Sequence, residues 1–280
     1  MAIVFRVKPW YKEKKKEYDY IWVPKNFTGI SSSYGRYFSG RYIWTDGGDY
    51  VYYSNSSTQL ALKKGTTNWV NKTWNNLSNF YGDSVWSDGD NIYYSRESQQ
   101  YVLDKNTNTW NVKTWNGLNS FTAAFIWFDD KKNIYMSRDY DHYMLIKDTS
   151  TWVSKYDDFS RSNFTYFSGE DMWTDGKTPY YSSSSTQKYT FWSGDLLVWV
   201  TTYWTGLSSF NGCYVWTDGK YIFYSNGNKQ YYLLPETKRA YTMSWTGLTS
   251  FYGNAIWTDG INIYYSTGDT SGNVTHYELT

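Results

Sequence analysis

The sequence predicts an all-β fold: a single six-bladed β-propeller of four-stranded antiparallel blades, filling residues 1–280. Three observations predict it. First, one tetrapeptide recurs, as Trp44-Thr45-Asp46-Gly47, Trp86-Ser87-Asp88-Gly89, Trp173-Thr174-Asp175-Gly176, Trp216-Thr217-Asp218-Gly219 and Trp257-Thr258-Asp259-Gly260, with Trp127-Phe128-Asp129-Asp130 as a degenerate copy. The steps between these tryptophans are 42, 41, 46, 43 and 41 residues, the period of a propeller blade. Second, the interval between copies reads as four short strands. Third, 22% of residues are Phe, Trp or Tyr although mean hydropathy is −0.70. Disordered chains are poor in aromatics, so low hydropathy here marks an aromatic core with a Ser/Thr/Asn/Gly surface.

Residues 80–120 illustrate the unit. Ser84-Val85-Trp86 reads as strand A and Ser87-Asp88-Gly89-Asp90 as a hairpin turn, since Asp-Gly tolerates positive φ. Asn91 to Ser95 is strand B, rich in β-branched and aromatic residues. Arg96 to Gln99 is a polar loop, Gln100 to Leu103 strand C, Asp104 to Thr109 a second turn, and Trp110 to Trp115 strand D. The flanking register holds in all six copies. Phe stands six before each Trp (Phe38, Phe80, Phe121, Phe167, Phe210, Phe251), and a small residue stands four before it (Gly40, Gly82, Ala123, Gly169, Gly212, Gly253). Ser follows nine or ten later (Ser54, Ser95, Ser137, Ser182, Ser225, Ser266), and then Gln or His (Gln59, Gln100, His142, Gln187, Gln230, His276).

The expected blades span about 38–79, 80–120, 121–166, 167–209, 210–250 and 251–280. The last lacks a strand D, so a strand from residues 1–37 is expected to close the ring and hide an open sheet edge. Two stretches qualify. Residues 2–7 alternate, and Tyr18 to Trp22 aligns with Tyr241 to Trp245. The basic run Lys12 to Lys16 between them is expected to be a solvated hairpin tip.

The run Ile92-Tyr93-Tyr94, followed by Tyr101-Val102-Leu103-Asp104 and Lys105 to Trp110, resembles the kelch repeat from about residue 38 onward. Where kelch blades carry a double glycine, this chain has Tyr-Ser, as at Tyr94-Ser95 and Tyr265-Ser266. The resemblance implies a propeller that presents loops to a partner.

Composition narrows the function. With 27 basic and 26 acidic residues the net charge is +1, which offers no field for nucleic acid or an anionic membrane. One cysteine, Cys213, excludes an internal disulfide and a cysteine-based zinc site, and two histidines exclude a His-rich metal centre; no cofactor is expected. No run of 18 apolar residues exists, so no membrane insertion is expected. The first residues do not read as a signal peptide, which suggests the cytoplasm or export by assembly, as for a virion or phage-tail part.

Candidate ligand-binding residues fall on the B–C and D–A loops, expected to share one face. Trp74, Trp115, Trp204 and Trp245 each open a Trp-polar-polar-Leu segment, and Asn116 follows Trp115. Exposed, such rings would stack on sugars; packed, they would fill the spaces between blades. Arg96 and Arg138 occupy one slot on adjacent blades as a candidate carboxylate clamp, with Tyr140 beside Arg138. The repeated aspartates read as turn formers and the Gln/His slot as a backbone ligand.

Enzyme readings are weaker. Two equivalent His slots do not supply a copper-oxidase site. The sialidase Ser-x-Asp-x-Gly-x-x-Trp turn is absent, and the adjacent carboxylates Glu170/Asp171 and Asp157/Asp158 would point to opposite faces of a strand. The sequence reading is a non-catalytic module that binds a glycan or protein through its loop face. A structural or adaptor role in a larger assembly and a glycoside-acting enzyme such as a sialidase are the alternatives.

Overall fold

The computed structural model describes residues 20–30, 38–118, 120–122, 125–161, 164–268 and 273–280. Six small antiparallel sheets stand in a ring as a six-bladed β-propeller. Blade 1 is Ile43–Thr45 (A), Tyr50–Ser56 (B), Thr58–Lys63 (C) and Trp69–Asn71 (D), hydrogen-bonded in that order. Blades 2 to 5 repeat the pattern. Blade 6 takes Ile256–Thr258, Ile263–Gly268 and Val274–Leu279 as A to C, and the N-terminal Trp22–Pro24 as D.

The N-terminal segment therefore closes the ring, but in a different register from the expected one. Trp22 does not match Trp245. Its N–H donates to the Thr246 carbonyl as the Trp110 N–H donates to Asn75 and the Trp152 N–H to Asn116, so Trp22 is a strand D tryptophan. The counterpart of Trp245 is Phe27. Phe27-Thr28-Gly29-Ile30 is a fifth, disguised copy of the Trp-polar-polar-Leu segment, with the Trp69 N–H donating to the Thr28 carbonyl. Residues 2–7 and the Lys12 to Lys16 run lie outside the described residues.

Two features join neighbouring blades. The Phe slot leads into each blade by pairing with strand B of the preceding one, as Phe80 opposite Ser56, Phe121 opposite Glu97 and Phe251 opposite Gly227. A one-turn 3-10 segment then precedes strand A in blades 1, 2, 4, 5 and 6, beginning at Gly40, Gly82, Gly169, Gly212 and Gly253. These turns encircle the axis, and the backbones touch. A Cβ on Gly82 would lie 2.0 Å from the Tyr42 carbonyl oxygen, and one on Gly253 2.1 Å from that of Tyr214. Close backbone approach thus explains the small-residue slot. Ala123 lies outside the described residues.

The core is divided into six interblade clusters. In one, Trp44 and Tyr52 of blade 1 meet Phe80, Tyr94 and Trp110 of blade 2 through Trp74 and Leu77. Each fully buried ring removes roughly 150–250 Å² from water, worth roughly 4–6 kcal/mol before entropy. No blade can bury its aromatic face alone.

Candidate binding face

The repeated polar residues are consumed by the fold. In all six blades the strand A tryptophan donates its indole N–H to the strand B serine, from Trp44 to Ser54 at 2.9 Å through Trp257 to Ser266 at 2.9 Å. The turn aspartates accept from backbone amides of their own turns, in blades 2, 4, 5 and 6 from those two and three residues on, as Asp88 does from Asp90 and Asn91. Each also accepts from the strand B tyrosine, as Asp88 does from Tyr93 at 2.8 Å. Blade 5 has Phe223 in that slot, and there burial and the neighbouring Asp218 carboxylate push the Tyr20 phenol far above its ordinary range, placing an N-terminal tyrosine beside the same carboxylate.

The Gln slot donates to the B–C turn carbonyl, as Gln59 does to Ser56 at 2.7 Å and Gln100 to Glu97 at 2.8 Å. His142 bonds the Thr165 carbonyl instead, and His276 shares a 2.8 Å bond with Ser266. Burial lowers both imidazoles, His276 to about 4. Burial pushes the Cys213 thiol up to about 12, so it is not a poised nucleophile.

The four Trp-polar-polar-Leu tryptophans lie between blades. Trp74, Trp115, Trp204 and Trp245 are only 4–5% exposed and sit in the interblade clusters. A ring so enclosed has no face left for a sugar, and the burial supports the packing reading. The segment also does not hang free beside the B–C turns. It crosses to the outer strand of the next blade, where Asn116 makes a parallel bridge with Thr151 and Thr205 one with Arg239. The Asn116 amide donates to Ser150 and its carbonyl accepts from Trp152, so its backbone is engaged while the residue stays exposed.

The B–C connections are shorter than expected. Arg96 pairs with Gln99, Arg138 with Asp141 and Ser183 with Thr186, leaving two-residue tips. The first tip residue has positive φ: Glu97 at 53°, Asp139 at 55°, Ser184 at 52°. Across blades 1 to 5 variation is therefore in side chains rather than loop length, while in blade 6 five residues separate the last B–C pair, Gly268 and Val274.

What remains unused by the fold gathers at this end of the ring. Arg41 donates to Asp83 at 3.0 Å across two adjoining 3-10 turns and lies 4.9 Å from the Tyr42 ring. Arg96 lies 4.1 Å over Tyr81. Arg138 lies 5.6 Å from Phe125 and 3.9 Å from the Asp139 carboxylate. Each of these two arginines thus lies against an aromatic ring of the segment that leads into its own blade. Tyr140 and Tyr166 meet edge to face at 5.1 Å, both 59% exposed. On blade 4, Glu170 and Asp171 supply negative charge. Burial raises the Asp171 carboxyl to about 6, against the pull of a Ser183 hydrogen bond. The face consequently carries arginine and aromatic side chains over blades 1 to 3 and the Glu170 and Asp171 carboxylates over blade 4.

Three features escaped the sequence reading. A lysine slot follows strand D at Lys25, Lys72, Lys113 and Lys155, each amide bonding the carbonyl of its Gln or His. Its signal was a Lys three residues after the strand D tryptophan, at Trp22/Lys25, Trp69/Lys72, Trp110/Lys113 and Trp152/Lys155. The Phe27 copy was marked by its Thr-Gly pair. In blade 3 a short helix, α1 (Tyr156–Ser160), replaces the Trp-polar-polar-Leu segment.

No family model and no curated protein matches the chain. The kelch resemblance therefore rests on the blade residues alone. Solved structures do match in fold. The extracellular domain of a putative hybrid two component system from B. thetaiotaomicron is 9% identical with a TM-score of 0.51, over 86% of this chain and 33% of that one. A second such domain from the same organism is 12% identical with a TM-score of 0.47, over 84% and 39%. The chain spans about a third of the length of these neighbours, and at such identity the likeness shows the fold alone.

Proposed function

We propose that the chain is a non-catalytic recognition module that holds a glycan on the B–C end of the ring, over blades 2 and 3. One observation carries this reading. Once the repeated Trp, Ser, Asp and Gln have been assigned to the fold, the exposed side chains suited to a ligand cluster at that end. Arg96 and Arg138 supply charged donors. Tyr140 and Tyr166 supply rigid aromatic surface that loses little entropy on binding and suits the C–H face of a sugar. Arg96 and Arg138 stand on hydrogen-bonded strands and Tyr140 in a two-residue tip, which is pre-organisation. Among the described residues no group of three or more His, Cys, Asp or Glu is placed to hold a metal ion.

A glycan array probed with the folded protein tests the reading. Binding is expected to at least one glycan, and Tyr140→Ala and Arg96→Ala are each expected to weaken it about tenfold, the loss of one good contact, with an unchanged melting temperature. Silence on the array from a folded sample, with capture of a stoichiometric protein assembly instead, would favour the adaptor reading.

A further inference from the structure

Three departures from the repeat converge between blades 3 and 4. At the other junctions a crossing aromatic ring fills the space beside the strand A tryptophan, as Trp74 does 5.4 Å from Trp44 and 5.1 Å from Tyr52. At this junction α1 offers the smaller Phe159, 6.3 Å from Trp127 and 6.2 Å from Tyr135. Next, the A–B turn of blade 3 is Asp129-Asp130-Lys131-Lys132 rather than Thr-Asp-Gly. Finally, the outer hairpin of blade 4 is long (Thr186–Ser193 and Leu196–Thr201) and overhangs that turn. The Trp192 indole N–H donates to Asp130 at 2.6 Å, and the Lys131 ammonium sits 3.5 Å from the Trp192 ring.

These departures leave a recess of about 260 Å³. Its walls are of two kinds. Trp192, Phe159 and Leu197 give an apolar side, while Lys131, Lys155, Asp158 and Asp195 give a polar one. The two lysines and two aspartates cancel, so the recess favours a neutral ligand over an ion. Donors and acceptors stand together, with Lys155 bonded to Asp158 at 2.9 Å, which suits a molecule whose hydroxyl groups both give and accept. The volume lies below the roughly 300–1,000 Å³ of drug-sized sites, so one small ring fits and a larger ligand would protrude.

We propose that this recess binds a single neutral sugar ring, its C–H face toward Trp192 and its hydroxyl groups toward Asp158, Asp195 and Lys155. The site is separate from the B–C end and does not depend on the reading given for that end.

Saturation-transfer NMR on the full chain tests it, with glucose, galactose, mannose and N-acetylglucosamine offered singly. Transfer to the ring protons of at least one sugar is expected. Asp195→Asn, on an exposed hairpin tip, is expected to weaken binding about tenfold, the loss of one charged hydrogen-bond partner, and Trp192→Ala at least as much. Tyr140→Ala is expected to leave this signal intact, which separates the recess from the B–C end. Transfer from none of the four sugars to a folded sample would overturn the proposal. So would transfer unchanged by Asp195→Asn and Trp192→Ala, or transfer abolished by Tyr140→Ala alone. Should Trp192→Ala fail to fold, Asp195→Asn and Asp158→Asn carry the test.

Discussion

At the scale of single residues, the buried tryptophans among the described residues divide into two kinds that composition does not separate. Those of strand A bond a serine. Those of strand D and of the crossing segments, among them Trp110 and Trp115, bury an indole N–H with no hydrogen-bond partner among the described residues. Trp86→Phe and Trp115→Phe remove the same atoms from comparably buried sites, but only the first strands a buried hydroxyl, that of Ser95. Trp86→Phe is therefore expected to cost about 1–3 kcal/mol more than Trp115→Phe in chemical denaturation. Phe27 shows that a crossing slot accepts Phe.

His276 gives a pH signature. Burial depresses its folded value from 6.5 to about 4, so the unfolded chain takes up the proton first. The stability it contributes is complete above pH 6.5 and is lost as pH falls toward 4, by up to about 3 kcal/mol. His142 is shifted in the same direction. Asp171 acts oppositely: its folded value is raised from 3.8 to about 6, so its protonation favours the fold as pH falls through that range. His276→Gln installs the residue that four other blades use in this slot. Denaturant midpoints of this variant at pH 7, 5.5 and 4.5 are expected to fall less on acidification than those of the parent chain.

At the scale of elements, the blade was legible because its turns and its core write to the same register. Thr-Asp-Gly satisfies a turn, and the aromatic slots on either side satisfy packing. The crossing segments were not legible. Trp74, Trp115, Trp204 and Trp245 announce an aromatic at a fixed spacing, and spacing alone is the same for a buried wedge and an exposed platform. The residue two places on decides it, a glycine at positive φ after three of them (Gly117, Gly206, Gly247) and Asn76 at φ of 66° after Trp74. Gly117 has φ of +80°, and a Cβ there would lie 2.1 Å from the Trp152 carbonyl oxygen, whereas Gly176 in a Thr-Asp-Gly turn has φ of +88° and nothing within 4 Å. Gly176→Ala is expected to cost about 1 kcal/mol of backbone strain. Gly117→Ala must also push blade 3 away and break its bridge to Asn116, so its melting temperature is expected to fall several-fold further, a difference of at least about 2 kcal/mol. Helix α1 hid for a different reason: five residues with one buried aromatic carry too little periodicity to declare a helix.

At the scale of the whole molecule, the ring is held by one seam between its ends, and that seam was half legible. A missing strand D demanded an N-terminal partner, but register within a short aromatic strand is weakly specified by sequence, and the alignment of Trp22 with Trp245 was five residues out. The true register matters because it brings two links rather than one. Trp22–Pro24 pair with Tyr277, Glu278 and Leu279, tied by Ile21 and Thr280 exchanging backbone hydrogen bonds and by Lys25 bonded to Glu278. Residues 27–30 then cross to blade 1, packing Phe27 against Trp69, Trp257 and His276. Without this stretch, two interblade clusters lose a wall, an aromatic strand edge is bared in blade 6, and neighbouring blades have no shared core to close the circle. A chain of residues 31–280 is therefore expected to lose its single sharp unfolding transition and to associate at micromolar concentration. Adding a peptide of residues 20–30 is expected to restore the sharp melt in proportion to its concentration, as binding linkage requires. Melting followed by near-ultraviolet circular dichroism, with and without the peptide, reads both outcomes. A truncated chain that melts as sharply and at the same temperature as the parent would show that the blades cohere without the seam.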